Sequence, residues 1–288
     1  MSSGRHPSCI PNSVQNTVWI NRNEHFDDWS PNVLEFYYDG DSPFCFSNYT
    51  GQIPLDRDWW GELLGYCGNG YIQEKHVQAW CNKLMEYRES VNRTRTSSSN
   101  YCRWTILPPR FFSLIIEQDH EAYSYANGSV GPYPALWEVD TVYIPLTQDE
   151  IDWNIIKIDL QSLNVTIYYP NNCHVKICRG SLCVHKNIYQ LFVEFESAFI
   201  WFLGSINYWR NAGESETDAL DFIGDVAWPS HVDNVGRNSG VIVCMLLNNL
   251  VLDRSMTCIE GNIQDTCMRY RRFMADELYA ARSTPNNM

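Results

Sequence analysis

The 288-residue sequence predicts an α+β fold, with helices at both ends of the domain and antiparallel strands between them. Two segments rich in Ile, Val and Tyr, residues 154–160 and 164–169, are joined by a short polar connection and predict a β-hairpin. Residues 267–282 carry apolar side chains at helical spacing with charges between them, which predicts a terminal amphipathic helix. The apolar block at residues 241–247 contains neither Gly nor Pro and predicts a buried helix.

The first third of the chain divides into an irregular segment and a helical one. Residues 1–58 are rich in Pro, Asn, Ser and Asp, and we expect them to form an irregular N-terminal extension to a domain of residues 59–288. Residues 59–88 carry apolar side chains at roughly helical spacing and predict helix. The polar run at residues 92–100 predicts a loop.

The middle of the chain alternates between strand and helix signals. Residues 104–117 contain a Pro-Pro step followed by large apolar side chains, which predicts a short helix. Residues 139–146 have the composition of a strand. The apolar and aromatic segment 187–210 predicts a long helix, whereas the acidic segment 213–225 predicts a solvated loop.

Composition and charge exclude several classes of function. A formal net charge of −13 lacks the basic face that nucleic acids require, so we expect no nucleic-acid partner. The most apolar long stretch, residues 198–206, is too short to span a bilayer, and we expect no membrane insertion. The 11 cysteines have no paired rhythm, and residues 1–15 lack the apolar segment of a secretory signal. These features predict reduced thiols in an intracellular protein of the nucleus or cytoplasm.

The densest group of potential metal ligands lies in the second half of the chain. It consists of Cys173, His174, Cys178, Cys183 and His185. The spacing of its cysteines matches no common Cys-x-x-Cys zinc pattern. We therefore expect a loop with buried thiols here, and we predict no metal ion and no other cofactor.

Ser239 follows a polar, turn-rich segment and lies at the predicted start of the buried helix. Free backbone N–H groups and the helix dipole favour a developing negative charge at such a position, which suits a catalytic nucleophile. Serine is equally a favoured N-cap residue. Both interpretations are compatible with this stretch of sequence.

Four motifs occur along the chain in an order that is typical of one enzyme family. They are VDTVYIPL at residues 139–146, a Trp-initiated strand pair at 153–169, NSGVIVC at 238–244 and YRRFMADEL at 270–278. In this order they resemble the ubiquitin-like-protein-specific (SUMO) cysteine proteases, particularly the divergent plant and transposon-associated branch. The resemblance covers about residues 71–282. It implies a papain-like cysteine protease fold with a central, mostly antiparallel sheet, flanking helices and the nucleophile at a helix start.

The resemblance assigns four residues to the family's catalytic positions, and all four depart from the family's pattern. Asp152 matches the histidine base, and Pro170 matches the carboxylate that orients this base. Asp233 matches the glutamine that stabilises the oxyanion, and Ser239 matches the nucleophilic cysteine.

These replacements remove the groups on which the chemistry depends. With a reference pKa of about 3.9, a carboxylate such as that of Asp152 is a weak base at pH 7. Pro170 has no side-chain acceptor with which to orient a base. At about 4 Å from an oxyanion, the Asp233 carboxylate would repel it by roughly 4 kcal/mol at an effective dielectric constant of about 20. Because the hydroxyl of Ser239 ionises less readily than a thiol, it depends on a base even more. We therefore predict a catalytically inactive domain.

Two alternatives to an inactive domain assign an enzymatic activity to the chain. In the first, the chain is an active cysteine-type peptidase that processes SUMO or another ubiquitin-like protein, and Ser239 is an engineered replacement of cysteine. A single replacement leaves Asp152, Pro170 and Asp233 unexplained. In the second, Ser239 belongs to a serine hydrolase, but its surroundings lack Gly-x-Ser-x-Gly spacing. His231 is predicted to be a loop residue rather than the missing base.

The resemblance also implies a tunnel for the C-terminal tail of a ubiquitin-like substrate. Trp153 matches the aromatic wall of this tunnel, and Gly240 is retained beside the nucleophile position. Tyr71 and Glu74 loosely match the family's aromatic and acidic opening motif. In the other interpretation, Trp153 and Tyr71 are core aromatics of a Trp-rich protein. We expect a protein-binding or scaffold role, with a ubiquitin-like modifier or a multi-subunit complex as the candidate partner.

Overall fold

The computed structural model describes most of the chain from residue 51 onward. The described residues are 33, 44–48, 51–65, 70–94, 101–147, 151–170, 176–179, 182–228, 235–254 and 262–281. None of the helices in these ranges has both the length and the apolar character needed to cross a membrane.

The described strands form one five-stranded sheet and two hairpins. In chain order they are β1 (Phe44–Asn48), β2 (Gly51–Leu55), β3 (Trp104–Ile106), β4 (Thr141–Thr147), β5 (Trp153–Asp159), β6 (Asn164–Tyr169), β7 (Lys176–Arg179), β8 (Leu182–His185) and β9 (Asp221–Ala227). The strand order in the central sheet is β3-β4-β5-β6-β9. Strands β4, β5 and β6 pair antiparallel, whereas β3 and β9 pair in parallel at the two edges. The predicted strand at 139–146 and the predicted hairpin are both confirmed.

Helices flank this sheet, which confirms the predicted α+β fold. They are α1 (Arg57–Leu64), α2 (Glu74–Thr94), α3 (Phe111–Ile116), α4 (Glu121–Ala126), α5 (Lys186–Ser205), α6 (Tyr208–Ala212), α7 (Ser239–Val251) and α8 (Ile263–Ala280). Short 3₁₀ helices occur at Leu136–Glu138 and Gly236–Asn238. Helices α7 and α8 confirm the predicted buried helix and the predicted terminal helix.

Helix α7 lies at the centre of the molecule, between strand β5 and helices α2 and α8. Every residue from Ser239 to Asn248 is buried. Midway along α7, the carbonyl of Cys244 accepts hydrogen bonds from the Trp80 indole and the Tyr270 hydroxyl, each at 3.2 Å. The rings of Trp80 and Tyr270 meet edge to face, with centroids 5.8 Å apart. Aromatic side chains from both neighbouring helices therefore fix α7, and with it the position of its first residue.

Two predicted helices are each divided by a left-handed residue. The predicted helix at 59–88 is wrong as a single element, because Gly65 at φ 81° ends α1 and α2 begins only at Glu74. The predicted helix at 187–210 breaks after α5, where Asn207 adopts φ 54° before α6. Glycine and asparagine tolerate this conformation better than other residues. Three glycines and an asparagine at residues 65–70 mark the first break in the sequence, whereas the second depends on the backbone conformation of Asn207.

The acidic segment 213–225 is not a loop throughout, because its last residues belong to β9. This strand contains two aspartates and Gly224, so its composition is unlike that of a strand. It is held by parallel pairing with β6 and by the ring of Phe222, which packs on Phe192 of α5 at 4.7 Å between centroids. Tertiary contacts here outweigh local propensity.

The predicted thiol-rich loop is also wrong in part. Cys178 lies in β7, and Cys183 and His185 lie in β8, with the two cysteines directly opposite each other in the hairpin. In the sequence, a Gly-Ser pair separates β7 from β8, and such a pair is a signal for a two-residue hairpin connection. The spacing of the Cys and His residues, on which the loop prediction rested, does not carry this signal. Cys173 and His174 lie outside the described residues.

The described part of the predicted N-terminal extension includes regular structure. Hairpin β1–β2 contacts α1 and α2. Helix α1 follows directly, and its N-cap Asp56 accepts a hydrogen bond of 2.8 Å from the Trp59 backbone. The predicted boundary at residue 58 therefore falls within α1.

Candidate functional site

Three of the four predicted catalytic positions meet at one end of the central sheet. Asp152 immediately precedes β5, and Pro170 immediately follows β6. Because β5 and β6 are antiparallel neighbours, these two positions lie at the same edge of the sheet. Ser239, at the start of α7, reaches this edge through a hydrogen bond from its hydroxyl to the carbonyl of Ile151.

The structure gives these predicted positions different environments. The Asp152 side chain is exposed, whereas Pro170 is buried and contributes no side-chain acceptor. Asp233 and His231 lie outside the described residues, so the roles predicted for them stay predictions.

Ser239 is the first residue of α7 and not its N-cap. Its backbone angles, φ −54° and ψ −46°, are already helical, and the residue before it, Asn238, is the N-cap. Ser239 is 1% exposed, and its hydroxyl donates to the Ile151 carbonyl. The capping interpretation is therefore wrong, since the side chain links α7 to the entry of β5. In the described part of the chain, no imidazole hydrogen-bonds this hydroxyl.

Gly240 lies where the backbone of α7 comes closest to the sheet. A Cβ atom at this position would be 2.6 Å from Cγ1 of Ile72 and 3.0 Å from Cδ1 of Trp153. Both neighbours are 1% exposed. Glycine is therefore required by packing, and Ile72 fills the space between the helix start and the indole.

The residues predicted to line a tunnel lie around this contact. The indole N–H of Trp153 is buried and has no acceptor among the described residues. Tyr71 is half-buried, and the guanidinium of Arg237 lies over its ring at 5.8 Å from the centroid. Glu74 is exposed at the first position of α2. The structure thus brings Trp153, Tyr71 and Gly240 to one region, with Trp153 fully enclosed.

Arg271 of α8 is a central residue of this region that the sequence pattern did not single out. It is 2% exposed, and its guanidinium donates hydrogen bonds of 2.6 to 3.3 Å. The acceptors are the carbonyl oxygens of Glu62, Leu63, Gly70 and Arg237, and Oδ1 of Asn238. One side chain therefore joins the end of α1, the approach to Tyr71 and the residues before Ser239.

The charge of Arg271 persists at neutral pH although the side chain is buried. Burial lowers its pKa to about 10, so the guanidinium stays protonated at pH 7. Its hydrogen-bond acceptors are neutral, and the positive charge adds to the dipole of the α7 N-terminus. A sequence signal existed, because Arg271 occupies the apolar face of the amphipathic helix, four residues after Cys267 and three before Met274.

His76 is a second buried polar residue that the sequence pattern did not single out. Its Nδ1 accepts a hydrogen bond of 2.9 Å from the backbone N–H of Gln73, and its Nε2 lies 3.1 Å from the carbonyl of Trp59. Together these contacts require a neutral ring with the proton on Nε2. Burial lowers its pKa to about 3. Because both ring nitrogens are engaged in these hydrogen bonds, His76 is not available as a general base for Ser239.

The arrangement of the central sheet and its flanking helices is that of the SUMO-type cysteine proteases, and the chain has their fold. It superposes on the Ulp1-like SUMO protease catalytic domain of Chaetomium thermophilum with a TM-score of 0.56 and 14% identity, over 88% of this chain and 89% of that one. The C-terminal Ulp1 protease domain in complex with Smt3, the yeast ortholog of SUMO, gives a TM-score of 0.55 and 12% identity, over 87% and 93% of the two chains. No protein-family model and no curated protein sequence matches the chain.

Proposed function

We propose that this chain is a catalytically inactive domain of the SUMO-protease type, related to the plant and transposon-associated branch, that serves as a protein-binding or scaffold subunit in the nucleus or cytoplasm. The observation that carries the proposal is the state of Ser239. Its hydroxyl is buried and donates to the Ile151 carbonyl, so its proton faces an acceptor that cannot take it up.

The surroundings of Ser239 support inactivity. Asp152 is a weak base at neutral pH, and Pro170 has no polar group to orient one. The positive charge of Arg271 and the α7 dipole favour an anion near the helix start. Neither of them activates a hydroxyl, because activation requires a group that accepts its proton.

The same region supports a binding role for a protein partner. A ubiquitin-like modifier is the first candidate, because the fold relative from yeast is in complex with Smt3. The enclosed N–H of Trp153 is an unpaired donor among the described residues, and leaving such a group unmet costs about 1 to 3 kcal/mol. A backbone carbonyl in the C-terminal tail of the modifier would accept a hydrogen bond from the Trp153 N–H if the side chain of Ile72 moved aside.

A titration of the chain with a mature ubiquitin-like modifier, SUMO or ubiquitin, tests the proposal. We expect reversible binding that weakens when the modifier's C-terminal tail is removed. The variant Trp153→Phe keeps an aromatic ring and removes the N–H, so it should weaken binding of the intact modifier about fivefold, as expected for one hydrogen bond of ~1 kcal/mol. Equal binding of intact and tail-truncated modifier would exclude the tail as ligand. Cleavage of the modifier precursor by the wild-type chain would exclude inactivity.

A further inference from the structure

A cleft separate from the Ser239 region lies at the C-terminal end of α5. Its volume is about 820 Å³, and α5, α6 and the acidic segment after α6 form its walls. The residues that matter for its chemistry are Trp201, Gly204, Ser205, Trp209, Glu216 and Asp218. None of them contributes to the site described above.

Two tryptophans give the cleft an aromatic wall. Trp201 is 43% exposed, which leaves a large apolar ring facing solvent. Trp209 is only 7% exposed and is held by the ring of Tyr208, with edge-to-face contact at 5.1 Å between centroids. Exposed aromatic faces next to polar groups are typical of ligand sites, since the ring offers both apolar surface and a negative π face.

Negative charge surrounds this wall from separate sources. The Glu216 carboxylate lies beside the last turn of α5, with Oε1 3.9 Å from where a Cβ on Gly204 would be. Both Glu216 and Asp218 are exposed, and neither forms a salt bridge with a basic side chain within the described ranges. Gly204 and Ser205 are the last residues of the 20-residue helix α5, whose C-terminus contributes a partial negative charge.

We propose that this cleft binds a basic segment of a protein partner, with an arginine side chain stacked on Trp201 and its guanidinium bonded to Glu216 and Asp218. Arginine fits all three features, because it is planar, permanently charged and able to bond a carboxylate while stacking on an indole. The cleft is far larger than one ammonium group, which favours a peptide over a small cation. The net charge of −13 would attract such a partner and repel a nucleic acid.

Fluorescence anisotropy with a dye-labelled peptide containing four arginines, tested against the same peptide with citrulline in their place, measures this binding directly. We expect the arginine peptide to bind the full chain with an affinity that falls as salt increases, and the citrulline peptide to bind at least about tenfold more weakly. Trp201→Ala and Glu216→Gln/Asp218→Asn should each reduce affinity at least about tenfold.

Matched control variants separate the cleft from general charge attraction. Ile223→Ala removes another exposed apolar side chain, and Glu117→Gln/Asp253→Asn neutralises two exposed carboxylates outside the cleft. We expect both controls to bind within about twofold of the wild type, and a thermal melt establishes that each variant is folded. Equal losses in the controls, equal binding of the citrulline peptide, or no binding at millimolar peptide would overturn the proposal. Displacement of the peptide by an equal concentration of tetramethylammonium would assign the cleft to a small cation instead.

Discussion

Gly240 shows how one residue can join the sheet to the central helix. Because a Cβ at this position would lie only 2.6 Å from Cγ1 of Ile72, Gly240→Ala forces the neighbours apart, and we predict a loss of about 1 to 3 kcal/mol in the free energy of unfolding. Gly204→Ala is the matched control, because its Cβ would meet nothing closer than 3.9 Å and should add about 0.5 to 1 kcal/mol of helix stability. Urea denaturation measures both changes, and equal effects would contradict the packing at Gly240.

His76 makes stability depend on pH. Its pKa is lowered from 6.5 to about 3 in the folded protein, so the unfolded chain binds the proton more tightly between these values. Stability is therefore fully present above pH 6.5 and falls as the pH is lowered toward 3, by on the order of 3 to 5 kcal/mol. His76→Gln keeps an acceptor for the Gln73 N–H and cannot titrate, so we predict that this variant loses this part of the pH dependence.

The contribution of His76 is given by the difference between the free energies of unfolding of the wild type and His76→Gln at each pH. The difference is needed because Glu277 changes the stability in the opposite direction. Burial raises the pKa of Glu277 from 4.5 to about 7, so the folded state holds this proton more tightly and stability falls as the pH rises through that range. Glu277 is common to both proteins and cancels in the difference. Parallel stability curves for the two proteins from pH 7 to pH 4 would contradict the neutral, bonded state of His76.

At the scale of elements, Arg271 connects parts of the chain that are distant in sequence. We predict that Arg271→Met destabilises the protein by at least about 3 kcal/mol, because it removes the guanidinium donors to the carbonyls of Leu63 and Gly70. Arg271→Lys keeps the charge with fewer donors and should lose less. Hydrogen exchange gives the sharper readout, since protection should fall at the end of α1 and before Ser239 while the amides of β5 stay protected. Uniform loss of protection across the molecule would contradict this local role.

The elements that sequence predicted well are those whose signal is local. The hairpin β5–β6 and helix α8 carry their own periodicity, and α7 is an uninterrupted apolar run. The breaks at Gly65 and Asn207 depend on single backbone conformations that periodicity does not encode. Strand β9 forms because β6 and α5 are already in place, and no local pattern predicts such support.

The candidate site shows the same division. The order of motifs was sufficient to predict that Asp152, Pro170 and Ser239 lie at the same end of the sheet. The reason is that topology fixes where the ends of β5 and β6 and the start of α7 come together. The partner of the Ser239 hydroxyl could not be predicted, since it is a backbone carbonyl rather than a side chain with a signature. Arg271 was missed because an arginine in an amphipathic helix is usually a surface charge, although its position on the apolar face indicates burial.

For the molecule as a whole, the chain has the fold of SUMO-type proteases, and Ser239 lies at the start of the buried helix α7 with its hydroxyl donating to a backbone carbonyl. Under the proposed function, the chain keeps the shape of an enzyme and uses it for binding, and the acidic and aromatic cleft at the end of α5 is a second proposed binding site. The proposed inactivity rests on the combination of Asp152, Pro170, Asp233 and Ser239, so restoring only the nucleophile should not restore the reaction.

The most direct measurement is labelling by a ubiquitin-like probe with a C-terminal electrophile, followed together with cleavage of the corresponding precursor. We predict no labelling and no cleavage for the wild type and for Ser239→Cys. We predict detectable labelling for a folded Asp152→His/Pro170→Asp/Asp233→Gln/Ser239→Cys variant, in which all four positions carry the family's residues. Cleavage of the precursor by the wild-type chain, abolished by Ser239→Ala, would contradict the inactivity of this site.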